Sequence, residues 1–381
     1  MRKSIRETTN TRMEREALLS HSNLSDGHAR IDLDRVEREI FSNSLKILDQ
    51  CFEMSQNEIE RRFLEVFFRG TCLVSSMESN TFLSYASSSS IKIIAKIAKI
   101  ERKNIYLIEP CFDNIFHILN TENLEIIPVD EKYLLNPKKN MKKINNQSWL
   151  WLVLPNNPTG FWLSKNDFER LALHLKSCEA TLIIDLCFKR FVSPSENFDV
   201  YEILNRIGVE YITIEDTGKT WSLGDLKVGI TVCSSIYSDV LRRLHDELLL
   251  SVSPFTLELL SQFIEHWLSE EGKKSFDRRI NNNRAKIEEL ANNKEISFIG
   301  EDAIHVPMVL MRIKNRNDLL DNWGELKRRG VELLPTCNYF WSGALDHLNA
   351  FRVPFLKPYR EISIAAEEIN NLISSQRDYD E

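Results

Sequence analysis

From residue 91 to 101 the chain reads IKIIAKIAKIE, with apolar residues every three or four positions and lysines between them. That spacing predicts a helix with one buried face. The stretch KNDFERLALHLKS (165–177) has the same period, and PFTLELLSQFIEHWLSEEGKKSF (254–276) reads as one long helix. Between such segments lie short apolar runs of strand length, at 105–108, 125–128, 149–154, 181–185, 211–214 and 228–233. Alternating strands and helices predict an α/β fold with a mainly parallel sheet. After about residue 275 the pattern changes, with helices over 280–293, 317–329 and 361–375 around short strands near 308–313 and 350–355. A smaller α+β domain is expected there. Residues 1–40 are polar and strongly charged, with a possible helix at 11–20 and a turn in LSDGHAR (24–30), followed by a charged helical pattern in IDLDRVEREIFSNSLKIL. The expected division is an N-terminal segment over 1–40, a large domain over 41–275 and a small domain over 276–381.

Charge and composition narrow the class. The formal net charge is −7 over 381 residues, and no basic face is implied. This speaks against nucleic acid and against anionic membrane surfaces as partners. The most apolar block, WLWLVLP, ends at a proline after one strand's length, so no spanning helix is expected. The start, MRKSIRETTNTRMEREALL, lacks the apolar core of a signal peptide. Seven cysteines form no CxxC pair. A reduced, cytoplasmic protein is the expectation.

Candidate chemistry sits where the apolar runs end. Lys219 and Lys227 lie in IEDTGKTWSLGDLKVG (214–229). A lysine in such a turn is either a solvated loop residue or a Schiff-base amine with a neighbouring cation for phosphate. Asp185 closes TLIID, where it either caps a turn or holds a proton on a ring nitrogen. Asn157 lies in PNNPTG, a loop following a strand, the position at which α/β sheets bind ligands. Ser87 and Ser88 open a helix, which offers an N-cap or a phosphate site.

The order and spacing of these residues, with Phe112 in EPCFDN and Arg352 in AFRVPFLKP, resemble the fold-type I pyridoxal-phosphate enzymes over residues 50–375. The resemblance implies a large domain with a mainly parallel seven-stranded sheet, a small C-terminal domain, and a homodimer. It implies that Ser87, Ser88 and Lys227 hold the phosphate and that Phe112 stacks on the ring. Asn157 bonds the ring oxygen, Asp185 pairs with the ring nitrogen, and Lys219 forms the Schiff base and moves protons. Arg352 takes the substrate α-carboxylate.

Three positions depart from an ordinary aminotransferase. Phe188 stands where a tyrosine is usual, Lys227 where an arginine is, and Asp216 where a serine is. An acid at 216 is expected to point away from the phosphate, toward a cationic substrate. Together with DGHAR (26–30), SYASSSS (84–90), EPCFDNI (109–115) and LLLSVSP (248–254), these departures resemble the PLP-dependent L-arginine oxidases and hydroxylases of antibiotic pathways. That resemblance implies O2 as co-substrate, without metal or flavin. The products it implies are 4-hydroxy-2-oxoarginine, dehydroarginine or 2-oxoarginine. It implies that residues 1–40 close over the site as a lid, with Glu14, Asp216 and Asp26 as partners of the guanidinium. His28 is implied as the titrating group of the oxidase chemistry, against a plainer reading as a loop histidine that orders the N-terminus. Cys187 takes the place of a small hydroxyl residue and is given no nucleophilic role. The alternatives are a conventional aminotransferase acting on a cationic amino acid, and a catalytically idle protein of the same fold.

Overall fold

The computed structural model describes residues 8–69, 80–299, 305–314 and 318–377. Thirteen strands are described: β1 (Ser22–Asn23), β2 (Thr81–Ser84), β3 (Asn104–Glu109), β4 (Ile126–Asp130), β5 (Ser148–Val153), β6 (Thr181–Asp185), β7 (Tyr211–Asp216), β8 (Gly229–Cys233), β9 (Ile296–Ile299), β10 (Met308–Ile313), β11 (Val331–Glu332), β12 (Leu334–Pro335) and β13 (Phe351–Pro354). Seven of them form one sheet in the order β2-β8-β7-β6-β5-β3-β4. Strands β4, β3, β5, β6 and β7 run parallel, and β8 is antiparallel to both β7 and β2. The expected α/β architecture is therefore present. β5 explains its own sequence: SWLWLV is buried along its whole length, as a central strand covered by helices on both faces must be. Trp149 and Trp151 are fully buried within it.

The helix over Lys165–Ser177 spans the expected residues, and the one expected at 91–101 covers Ser87–Ile100. The long helix expected at 254–276 is two helices, Pro254–Leu268 and Glu270–Glu288. Ser269 separates them: its backbone is extended and its side chain accepts the Gly272 N–H. The periodicity carries straight across this elbow because both helices bury a face, so spacing alone could not reveal the break. The helix expected at 280–293 is the second half of Glu270–Glu288 and a short 3-10 turn. β2 had no separate sequence signal.

A four-stranded sheet in the order β12-β13-β10-β9 packs with the helix Tyr359–Arg377 around a second core that includes Val309, Phe351, Val353, Ile362 and Ile369. The N-terminal segment joins both cores. β1 pairs with β11 and Leu24 enters the second core, while Ala29 and Ile31 enter the first. No helix among the described residues is long and apolar enough to cross a membrane. Cys51, Cys111, Cys178, Cys187 and Cys233 are free thiols, and Cys72 lies outside the described residues.

Candidate active site

Neighbouring strands bring the cofactor candidates together. Asp185 ends β6, opposite Val153 of β5 and Ile214 of β7. Asn157 follows β5, and Lys219 lies in the 3-10 turn after β7. Asp185 Oδ1 accepts the Cys187 backbone N–H at 3.0 Å. Burial raises the Asp185 pKa, and the Lys219 charge offsets only part of that rise. Cys187 is buried, and burial followed by the Asp185 charge pushes its thiol well up, so it is inert as a nucleophile. Phe188 is 4% exposed, beside Val306 and Met308.

Arg352 is fully buried on β13. Its Nη1 donates to Asn157 Oδ1 at 3.4 Å and its Nη2 to Glu14 Oε1 at 3.2 Å and to the Ser25 carbonyl. Its guanidinium lies 5.8 Å from the Phe112 ring centroid and 6.0 Å from that of Tyr339. Phe112 also packs against the cluster containing Met13 of the helix Asn10–Ala17. That helix is tied down by the Asn10 N–H, which donates to Asp113 Oδ2 at 2.9 Å. Residues 10–31 therefore pack against Arg352 and Phe112, and the possible helix at 11–20 is found at Asn10–Ala17.

The segment DGHAR threads between two turns. The Ala29 N–H donates to the Gly218 carbonyl at 2.8 Å, and the Gly224 N–H to the Ala29 carbonyl at 3.2 Å. A Cβ added to Gly27 would stand 3.6 Å from Arg352 Nη1, 3.8 Å from Lys219 Nζ and 3.9 Å from Phe188 Cζ. The bare Cα of Gly27 thus leaves a gap between the amine and the guanidinium. His28 Nε2 lies 2.9 Å from Lys227 Nζ. Its pKa is lowered to about 4, first by the Lys219 charge and then by burial, against the pull of Asp26.

Two expectations about charge are corrected. Asp216 does not point away from the helix start: its Oδ2 accepts the Ser87 N–H at 3.0 Å and its Oδ1 the Gly218 N–H at 2.8 Å. The sheet register explains this. Gly229 pairs with Asp216 on one side and with Ser84 on the other, which sets Asp216 beside the turn into Ser87. A Cβ at Gly229 would lie 2.6 Å from the Ala86 carbonyl carbon, so only glycine allows the approach. The carboxylate there satisfies the first free donor of the helix. Asp26, expected near the guanidinium, is held by Lys357 Nζ at 2.8 Å and by the backbone N–H of His28 at 2.8 Å. Burial would raise Asp26, but its hydrogen bond with His28 and the charge of Lys357 hold it well below the usual carboxylate range. Glu14 also meets one of the chain's own cations, Arg352, yet is 12% exposed and remains reachable. Burial raises its pKa, and the charges of Arg352 and Lys219 only partly counter this.

Sequence reasoning missed Lys357, Tyr339 and Glu131. Glu131 accepts from Asn156 Nδ2 at 2.6 Å and from Thr159 Oγ1, and so fixes the loop that carries Asn157. Lys357 had a signal, a lone lysine in the apolar run FRVPFLKP.

Pyridoxal phosphate fits the ring end of the site. Asp185 is a half-buried carboxyl whose charged form gains from a protonated ring nitrogen, Asn157 supplies an amide, and Phe112 a ring face. At the phosphate end, Ser87 and Ser88 open a helix whose N-cap, Ala86, provides no side-chain cap. Lys227 and the Ser87 N–H are already engaged there by His28 and Asp216, so phosphate must compete for both. Among the described residues, no cluster of three or more His, Cys, Asp or Glu side chains is placed to hold a metal.

Solved structures of this shape include MppP soaked with the product 2-ketoarginine, at TM-score 0.80 and 24% identity over 90% of this chain and 98% of that one. Aspartate aminotransferase from Thermus thermophilus with maleate matches at TM-score 0.74 and 14% identity, over 95% and 96%. Histidinol-phosphate aminotransferase 2 of Oceanobacillus iheyensis is 25% identical over 169 residues, 43% of this chain and 45% of the relative. The histidinol-phosphate aminotransferase of Buchnera aphidicola subsp. Cinara cedri is 26% identical over 205 residues, 51% and 53%. The chain spans about half the length of the curated relatives it matches. The family described as aminotransferase class I and II matches residues 18–355. The chain belongs to that family, the fold-type I enzymes whose expected cofactor is pyridoxal phosphate.

Proposed function

We propose that this protein oxidises L-arginine with O2, releasing ammonia and hydrogen peroxide and giving 2-oxoarginine, dehydroarginine or 4-hydroxy-2-oxoarginine. The observation that carries the reading is the lid: residues 26–30 bring Gly27 and His28 against Lys219 and Lys227, with Glu14 and Arg352 as opposite charges at the same site. A substrate with a carboxylate at one end and a guanidinium at the other matches that pair of charges. The structural likeness to MppP, solved with 2-ketoarginine, supports the same substrate class.

Bound pyridoxal phosphate supplies an electron sink that acidifies the α-C–H of an amino acid and passes its electrons on to O2. The chain's residues do the rest. Arg352 takes the α-carboxylate, letting go of Glu14, and Glu14 turns to the guanidinium. Lys219 Nζ removes the α-proton. The Asp185 carboxylate holds the proton on the ring nitrogen. His28, neutral near pH 7, accepts and returns a proton as oxygen is reduced. Closure of residues 10–31 excludes bulk water while this proceeds.

The chain is proposed to act as a homodimer. Phe41, Leu45, Leu48 and Phe52 form an exposed apolar stripe along the helices Arg35–Ser42 and Ser44–Glu53, and Leu250 is 99% exposed. Sedimentation of a monomer at micromolar concentration would overturn this.

The curated relatives favour one second reading, an aminotransferase acting on a cationic or imidazole-bearing amine. Oxygen uptake by the PLP-loaded protein with L-arginine and no keto acid separates the two, with product masses read from the same tube. Uptake with an oxidised arginine product is expected. No uptake, with turnover once a keto acid is added, selects the aminotransferase.

A further inference from the structure

Lys357 is a buried cation that the proposed reaction does not use. It lies just after β13, 1% exposed, and its Nζ donates to Asp26 Oδ1 at 2.8 Å. That oxygen also accepts the His28 backbone N–H and faces His28 Nδ1 at 3.4 Å. Asp26 Oδ2 accepts from Asn23 Nδ2 at 3.1 Å. Across the ring, His28 Nε2 meets Lys227 Nζ at 2.9 Å. A lysine ammonium only donates, so Nε2 is the acceptor and the ring proton sits on Nδ1, toward Asp26. Lys357, Asp26, His28 and Lys227 thus form one row from the small-domain loop to the turn before β8.

We propose that Lys357 is a positioning residue for His28: by pairing with Asp26 it keeps the imidazole neutral, with the proton on Nδ1 and the lone pair on Nε2. The inference rests on His28 as the proton-transfer group of the proposed function, but it concerns a charge state that is read without turnover.

The balance of charges gives the direction. His28 is faced by Asp26 on its own segment and by Lys219 and Lys227 from the turns on either side of the GKTWSLGDLK loop. The two lysines oppose a proton on the ring, and Asp26 favours one. Asp26 is faced in turn by Lys357 and, at 3.9 Å, by Arg30, while Glu361 faces Lys357. Lys357 gives Asp26 a partner other than the imidazole. Without it, a buried carboxylate is left with His28 as its nearest group able to become a cation, and the imidazolium gains. The low His28 pKa agrees with the intact row. The Lys357 backbone has a separate structural role, because its carbonyl accepts from Asn283 Nδ2 at 2.7 Å, and side-chain variants leave that bond in place.

The test is an NMR pH titration of the full chain, free of pyridoxal phosphate so that Lys219 and Lys227 face His28 as free amines, and carrying isotope-labelled histidine rings. The His28 signals are assigned by their loss in His28→Gln. In the unaltered chain His28 is expected to titrate well below its ordinary range, with ring-nitrogen shifts of the Nδ1–H tautomer. Lys357→Met is expected to raise the midpoint by about one pH unit or more, a tenfold change in proton affinity. The charge-neutral pair Asp26→Asn/Lys357→Met is expected to return it to the low value. An unchanged midpoint in folded Lys357→Met would overturn the proposal and leave Lys357 a purely structural ion pair. If that variant does not fold, an Nε2–H tautomer in the unaltered chain would overturn it equally. A chain inert toward L-arginine and O2 would sink the proposed function while leaving these titrations intact.

Discussion

Asp185, Asn157 and Lys219 stand at the ends of neighbouring strands, whereas Glu14, Asp26 and His28 ride on a segment that runs from one hydrophobic core to the other. The strand wall is held by sheet hydrogen bonds and by buried neighbours close at hand. The N-terminal segment is held by ion pairs between residues more than 300 positions apart, Glu14 with Arg352 and Asp26 with Lys357. A wall built on strand register keeps its geometry whatever the charge state. A segment held by charges is sensitive to pH and to any molecule that offers the same charges, which is what the proposed closure over a substrate requires.

The comparison can be broken most severely at the wall. Lys219→Ala removes the amine that both functional readings need, and amino-acid turnover is expected to fall by about 10²–10⁴-fold or more. Consumption of L-arginine, with and without a keto acid, measures it. On the N-terminal segment, Glu14→Gln leaves Arg352 in place and removes the proposed partner of the substrate guanidinium. Its expected cost is about ten- to a hundredfold in kcat/KM for L-arginine, the range for a hydrogen bond to a charged group. An uncharged amino acid of similar length should lose much less, and equal losses would detach Glu14 from cation recognition.

Acid should separate the two regions by sign. His28 has a folded pKa near 4, below its unfolded value of about 6.5, so the unfolded chain takes its proton first. Its share of stability falls as pH drops from about 6.5 toward 4. Asp26, also depressed, adds a further loss below its unfolded value of about 3.9. Asp185 runs the other way, because its raised pKa means that protonation relieves a buried charge. Melting of the cofactor-free chain between pH 7 and 4 should therefore flatten in His28→Gln. Asp185→Asn should raise cofactor-free stability by about 1 kcal/mol at neutral pH and weaken cofactor binding. The smallest effect on stability is expected from Gly27→Ala. Its Cβ would make ordinary contacts with Lys219 and Arg352, so melting should hardly change, while KM for L-arginine rises by about tenfold as the gap closes.

Much of the wall was legible in the sequence. TLIID announces a buried strand ending in an acid, PNNPTG a loop after the WLWLVL strand, and IEDTGK a lysine turn, because local apolar runs set the strands and register sets their neighbours. The helix break at Ser269 was not legible, since both sides share one apolar spacing. The side on which Asp216 lies was not legible either. Its direction depends on Gly229 pairing with two different strands at once.

The sequence by itself determined the α/β fold, the strand ends that carry the cofactor candidates, and the acids and histidine of the N-terminal segment. Only the tertiary structure decided which charges those acids meet: Glu14 on Arg352, Asp26 on Lys357 and His28, and Asp216 on the start of the helix at Ser87. The physical reason is range. Hydrophobic periodicity is a local property of the chain, but a buried charge takes whichever partner the packed cores bring within about 3 Å, and its nearest neighbours in sequence give no sign of it.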